Sequence, residues 1–199
     1  MKTLVASLLV ASPLLAAAAP STWNVDPAHS QVGFSVKHLV ISTVRGEFTK
    51  YSGVAKLDDA DPTRSGVEVT IDASSIDTRV ADRDAHLRSP DFLDAANHPT
   101  LTFKSTKVAK AGKDRLKVTG DLTLRGVTKP VTLDVTTTPE VKGMAGETRR
   151  GFSAVTKVSR KAFGLTWNKL VEAGPAVGDE VTIALDVALV KDAPKTAAN

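Results

Sequence analysis

From Trp23 onward apolar and polar residues alternate with a period of two, the signature of strands with one dry and one wet face. In Ser30–His38, Val32, Phe34 and Val36 share one face and Gln31, Ser35 and Lys37 the other; the same parity turns Ser30 and His38 inward. A second run extends from Val44 to Leu57, anchored by Phe48, with Gly46 and Gly53 where a bulge or bend is expected. Six more follow: Val67, Val69, Ile71; Leu101, Phe103; Leu116 to Leu124; Val131, Leu133, Val135; Phe152 to Val158; and Val181 to Leu189. The connectors Asp58–Pro62, Ala111–Asp114, Arg125–Gly126 and Lys142–Gly146 are short, polar or glycine-bearing, which predicts antiparallel hairpins; a parallel pair would require a longer crossover. Only 77–97 breaks the pattern. There Val80, Asp84, Leu87 and Arg88 fall at helical spacing, Asp77 or Thr78 is placed to cap, and Pro90 starts a turn through Phe92 and Leu93. The reading is an all-β fold of eight antiparallel strands with one short helical insert near residues 79–93, lying over an end of the sheet. Alternation fits two architectures equally: a closed barrel with room for a small ligand, and a sandwich with a solid core.

The first twenty residues follow another logic. Lys2, an apolar run from Leu4 to Leu15 and the alanines Ala16–Ala19 have the layout of a secretory signal peptide. Cleavage is expected between Ala18 and Ala19, because cutting one residue later would leave Pro20 first. This divides the chain into a leader, 1–18, and a single domain, 19–199, exported to the periplasm. Removing Lys2 takes the formal charge from +4 to +3. The chain has no cysteine, which excludes disulfide staples, zinc-thiolate sites and thiol nucleophiles. Mild charge, scattered basic residues and few aromatics give nucleic acid no binding surface.

No Gly-x-Ser-x-Gly elbow, phosphate-cradling loop or His-Glu-x-x-His occurs. His29 and Ser30 are neighbours on a strand and point to opposite faces, so they do not form a catalytic pair. Asp82 and His86 are four apart on the helix; two ligands are few for a metal, and an exposed pair beside Arg83 and Arg88 accounts for them. The charged insert 82–88 reads either as a solvated helix face or as the mouth of a cavity, with Leu87, Phe92 and Leu93 lining it and an arginine meeting a polar head group. Arg160 shares the inward parity of Phe152, Ala154, Thr156 and Val158, so it should sit at a rim or be paired. His38 is either its counterpart or a satisfied core histidine.

Several segments together resemble the YceI-like family of periplasmic polyisoprenoid-binding proteins: Trp23–Ser30, Phe34–His38, Gly46–Phe48, Asp82–Phe92, Gly120–Val131, Gly151–Ala154 and Arg160–Gly164. The matches run in order over about 22 to 190. The resemblance implies a lipocalin-like, extended eight-stranded barrel whose tunnel holds a long isoprenoid or other amphiphilic lipid. It carries ligand contact over to Phe34, Val36, Phe48, Val69, Ile71, Leu87, Phe92, Phe103, Phe152 and Phe163, with the head group positioned at the rim by Arg160 or His38. Leu93, His98 and Lys161–Ala162 depart from the family pattern. The expected protein is a non-enzymatic carrier that requires no cofactor and takes an isoprenoid lipid or isoprenoid quinone. A transient membrane contact and a homodimer are the other expected partners. The alternatives are a lipid-modifying hydrolase or isomerase using His38 or His86 as base, and a ligand-free stress-related interaction module.

Overall fold

The computed structural model describes residues 19–172 and 174–193, so the expected leader at 1–18 and its cleavage site lie outside the described residues. The described residues open with two strands that are one bent ribbon. β1 (Ser21–Val25) runs into a 3-10 turn over Pro27–His29 and continues as β2 (Gln31–His38). Proline at the first turn position sets the bend, and Asp26 caps it by accepting from the Ala28 amide at 3.1 Å. β3 (Ser42–Phe48) and β4 (Tyr51–Leu57) form the second bent ribbon, broken at Thr49–Lys50. The break falls at neither glycine of that run. A Cβ on Gly46 would lie 2.5 Å from Cζ of Phe34, and one on Gly53 3.1 Å from the Glu68 carbonyl oxygen, so both glycines serve close approach rather than bending.

The remaining elements are β5 (Gly66–Asp72), β6 (Ile76–Asp77), α1 (Ala81–Arg88), β7 (Thr100–Gly112), β8 (Arg115–Leu124), β9 (Val127–Thr137), β10 (Val141–Lys142), β11 (Thr148–Ser159), β12 (Leu170–Val171), β13 (Gly174–Pro175) and β14 (Val177–Lys191). Eight strands close a ring in the order β1, β4, β5, β7, β8, β9, β11, β14 and back to β1, each pair antiparallel. β2 continues along β14 beyond β1, and β3 continues along β2, so the wall extends past the ring. The sequence expectation of an extended eight-stranded antiparallel barrel holds, and the helical insert is α1.

Trp23 marks one end: it is fully buried against Ala55 and Leu189, on the flanking strands β4 and β14, and its indole N–H donates to Ser21 Oγ at 2.8 Å. We call this the basal end. At the opposite, apical end the edge of β3 pairs with β6 instead of β5, and the insert lies there. Its helix is not capped by Asp77 or Thr78: Val80 occupies the N-cap with no side-chain bond. The physical reason is a left-handed Arg79 (φ 65°), which turns the chain so that buried Asp84 reaches back to accept from the Thr78 amide (2.8 Å) and hydroxyl (2.6 Å).

The bend between β1 and β2 has an electrostatic clamp. Arg149 Nη1 donates to Asp26 at 2.6 Å and His29 Nδ1 lies 2.8 Å from the same carboxylate. The Arg149 bond, then that of His29, holds the Asp26 carboxyl below its usual range. A carboxylate depressed in the folded state stabilises the fold above the unfolded value of about 3.9, and that contribution disappears as pH falls through the lowered folded value. Asp26→Asn is therefore expected to lower the thermal midpoint at pH 7, with the gap to the parent narrowing as a melting series descends from about pH 5 towards pH 2. A constant gap across the series would assign the cost to the cap alone.

Candidate functional site

The inward faces of the ring and of β2 and β3 enclose a cavity of about 320 Å³. Its wall is apolar along the barrel, from Ala55, Leu57 and Leu189 at the basal end to Val36, Val177 and Leu165 at the apical end. The polar side chains on it are Tyr51, Ser65, Thr156 and Arg160. The wall is not a collapsed core: inward Phe34, Val69, Ile71, Phe152, Ile183, Leu185 and Val187 are only partly buried. Medium-sized side chains on an eight-stranded ring leave its interior unfilled. The open alternative between solid core and tunnel is thereby decided for the tunnel.

Of the residues carried over from the sequence, Phe34, Val36, Phe48, Val69, Ile71, Leu87, Phe92, Phe103, Phe152 and Arg160 lie on the wall. His38 and Phe163 do not. Val36 pairs with Val181, but His38 pairs with Val177 instead of Asp179; β14 contributes two extra residues there, and the histidine, at the end of β2, lies past Val36, the last wall position of that strand. Phe163 sits on a 3-10 turn after β11, 2% exposed, packed in the core with Leu93 and Leu165.

Arg160 is on the wall but differs from its sequence reading. It is 3% exposed, and its guanidinium donates to four backbone carbonyls: Gly178 (Nε, 2.8 Å), Leu165 and Trp167 (Nη1, 2.5 and 2.8 Å) and Val177 (Nη2, 3.2 Å). His38 is not its counterpart. Burial pulls the Arg160 guanidinium below its ordinary value, partly offset by the charge of Asp179, whose carboxylate is bonded to the Lys161 amide and the Ser159 hydroxyl. Among the described residues no carboxylate forms an ion pair with Arg160.

Three further arginines at the apical end are engaged in the same way. Arg88 donates to the carbonyls of Ser74 (2.7 Å) and Ile76 (2.9 Å), Arg83 to Thr78 (2.8 Å), and Arg125 to Gly164 (2.8 Å) and Pro90 (2.7 Å). They fasten the insert and the turn after β11 to the barrel. The insert's charges are therefore neither a merely solvated face nor a set of head-group ligands. Its apolar side chains Leu87, Phe92 and Leu93 do face the cavity.

His86 is bonded to Asp91 at 2.9 Å, not to Asp82, and its ring meets Phe92 (5.0 Å) and Trp167 (4.8 Å) edge-on. Trp167, which stacks on Phe92 at 5.2 Å, is absent from the sequence reading. The signal was a single tryptophan in an otherwise polar stretch without alternation. Neither His38 nor His86 lines the cavity. His29 bonds Asp26 while the Ser30 hydroxyl lies 3.0 Å from the Ala188 amide and 3.4 Å from its carbonyl oxygen, so the two neighbours act in separate structural contacts.

Residues 23–189 match the family model described as a YceI-like domain. The chain is 39% identical over 191 residues to Protein YceI of Escherichia coli O157:H7, covering 94% of this chain and 97% of that protein. Among solved structures, Burkholderia cenocepacia BcnA superposes with a TM-score of 0.74 at 29% identity, covering 82% of this chain and 98% of BcnA. A domain from Saccharophagus degradans, described as polyisoprenoid binding and implicated in plant cell wall breakdown, has the same fold at 15% identity and a TM-score of 0.60, covering 85% of this chain and 98% of that one.

Proposed function

This chain belongs to the YceI-like family, and from that premise we propose that it is an exported, periplasmic carrier that holds an isoprenoid-type lipid in its lumen without turning it over. The observation that carries the reading is the apolar wall running the length of the barrel while its inward side chains remain partly exposed. Such a surface is unfavourable when wet and suits a long hydrocarbon chain. Each isoprene unit removes roughly 100 Å² from water, worth about 2–3 kcal/mol before ordering costs, so a few units reach micromolar affinity. Apolar contact alone does not distinguish a polyprenol from an isoprenoid quinone; lumen length selects chain length.

Polarity is confined to a few places. Tyr51 donates to the Ser30 carbonyl at 2.5 Å and so ties the bends of the two ribbons together. Arg160 brings a positive charge without an ion-pair partner among the described residues to the apical part of the wall, which favours a head group that is anionic or rich in acceptors. The absence of both candidate histidine bases from the wall supports binding over catalysis. The polyisoprenoid binding described for the Saccharophagus domain agrees with the ligand class, and the layout of Met1–Ala19 supports export.

The test is native mass spectrometry and lipid extraction of protein released from cells by osmotic shock. The expected result is release with the periplasmic fraction and an adduct that yields a prenyl chain. Protein that emerges empty and takes up no apolar fluorophore would overturn the carrier reading.

A further inference from the structure

Two apolar tips crown the apical end. Leu39–Ile41 joins β2 to β3, and Leu170–Val171 forms the first arm of the β12–β13 hairpin. Val40 is 61%, Ile41 83% and Leu170 82% exposed. The backbone makes the first tip stranger still. Leu39 (φ 51°) and Val40 (φ 65°) both occupy the left-handed region, where tight hairpins place glycine, asparagine or aspartate and where a β-branched residue is strained. Neither solubility nor stability favours Leu-Val-Ile at such a site, and retained strain marks a surface with a task.

The two tips are one unit standing over the cavity. The Leu39 amide donates to the Ala176 carbonyl at 2.8 Å, and the Ala176 amide to the Lys169 carbonyl at 2.8 Å. Beneath them Asn168 brackets Val177, donating to its carbonyl (2.7 Å) and accepting from its amide (3.1 Å). Val36, Leu165 and Val177 are on the cavity wall, so the first tip begins three residues, and the second five, from where the lumen ends. Lys37 and Lys169 are exposed beside them and Arg45 lies four residues further along β3, and none is in an ion pair among the described residues; Glu172 is the acid adjoining the second tip.

We infer that this crown docks on an anionic phospholipid bilayer, with Val40, Ile41 and Leu170 entering the interface and the basic residues at the level of the phosphates. A second copy of the chain is a poor occupant. A stable protein interface buries about 800 Å² on each partner, whereas three side chains on two convex turns offer no such face. A bilayer accepts protruding side chains one at a time, and anionic lipid adds attraction for each lysine or arginine. The purpose of the contact, lipid passage between membrane and lumen, rests on the carrier reading, but the contact is measurable without it.

Exported protein is floated with phosphatidylethanolamine–phosphatidylglycerol vesicles and with phosphatidylcholine vesicles. Binding is expected to the anionic vesicles, weaker to the neutral ones and weaker at high salt. The double variant Ile41→Asp, Leu170→Asp is expected to bind about tenfold less or weaker still, with uptake of an apolar fluorophore unchanged. Val40→Asn, which tolerates the left-handed backbone, should raise the melting temperature and weaken flotation together. Parent protein that does not float, or a double variant that floats equally well, would overturn the inference. So would a parent dimer dissolved by the double variant, which would assign the crown to a second copy. Flotation without fluorophore uptake in any form would retire the carrier reading and leave the docking surface standing.

Discussion

Replacing Arg160 with methionine is expected to lower the unfolding free energy by about 3–5 kcal/mol. Methionine keeps much of the stem's volume but removes every donor, leaving the carbonyls of Leu165, Trp167, Val177 and Gly178 without the guanidinium that bridges them. A buried polar group left without a partner costs about 1–3 kcal/mol; the carbonyls of Leu165, Trp167 and Gly178 set the scale, since that of Val177 keeps the Asn168 amide. Lysine offers three donors from one point and cannot span carbonyls on both sides of the turn, so Arg160→Lys should recover only part of the loss. Urea unfolding of the three proteins gives the comparison. A loss below about 1 kcal/mol for methionine would mean that water replaces the guanidinium, and the arginine would then be a head-group ligand first.

The barrel was legible wherever alternation was unbroken, as along β2 and the central part of β14. It failed where a bulge shifted the parity. Leu101 and Phe103 mark the start of β7, but the register slips between Ser105 and Lys107, so Val108 points inward from an even-numbered position and the strand runs on to Gly112 unnoticed. His38 was misplaced for a different reason: a slip of two residues in β14 keeps the parity, and the histidine, the last residue of β2, lies past the end of the wall. Gly46 looked like a bend because a sequence does not show that the ring of Phe34 occupies the space beside it.

At the site, parity located the wall because wall positions are a property of strands. It had nothing to offer beyond Arg160, where turns and a short hairpin replace the barrel strands before β14. Phe163 is aimed into the core by a turn that ends at a left-handed Gly164 (φ 81°), and Trp167 reaches the insert from a segment with no period at all. Arg160 was correctly read as inward and in need of partners. Those partners were undiscoverable from side-chain chemistry, since each is a main-chain oxygen, identical in every residue. The family resemblance supplied the tunnel that periodicity left open, and carried the Phe163 error with it, because it transfers positions without transferring the packing around them.

Filling the lumen separates a cavity from a core more sharply than removing side chains does. Ile183 lies midway along β14, paired with Phe34 on one side and Thr156 on the other, and its side chain is on the wall and only partly buried. In a close-packed interior Ile183→Trp would be overpacked and would cost about 1–3 kcal/mol. Here the indole has the cavity to enter, and the apolar area it buries offsets its ordering, so stability should stay within about 1 kcal/mol of the parent. Ligand uptake should respond in the opposite sense. An indole midway along the lumen blocks the path between the Arg160 end and the Trp23 end, so a long prenyl chain loses about half its contact. Losing even one or two isoprene units at about 2–3 kcal/mol each weakens binding by tenfold or more. Titration with prenols of increasing length is the decisive measurement. The parent should gain affinity with each added unit until the lumen is full, and the tryptophan variant should stop gaining at roughly half that length. Equal length dependence in both proteins would place the ligand outside the barrel.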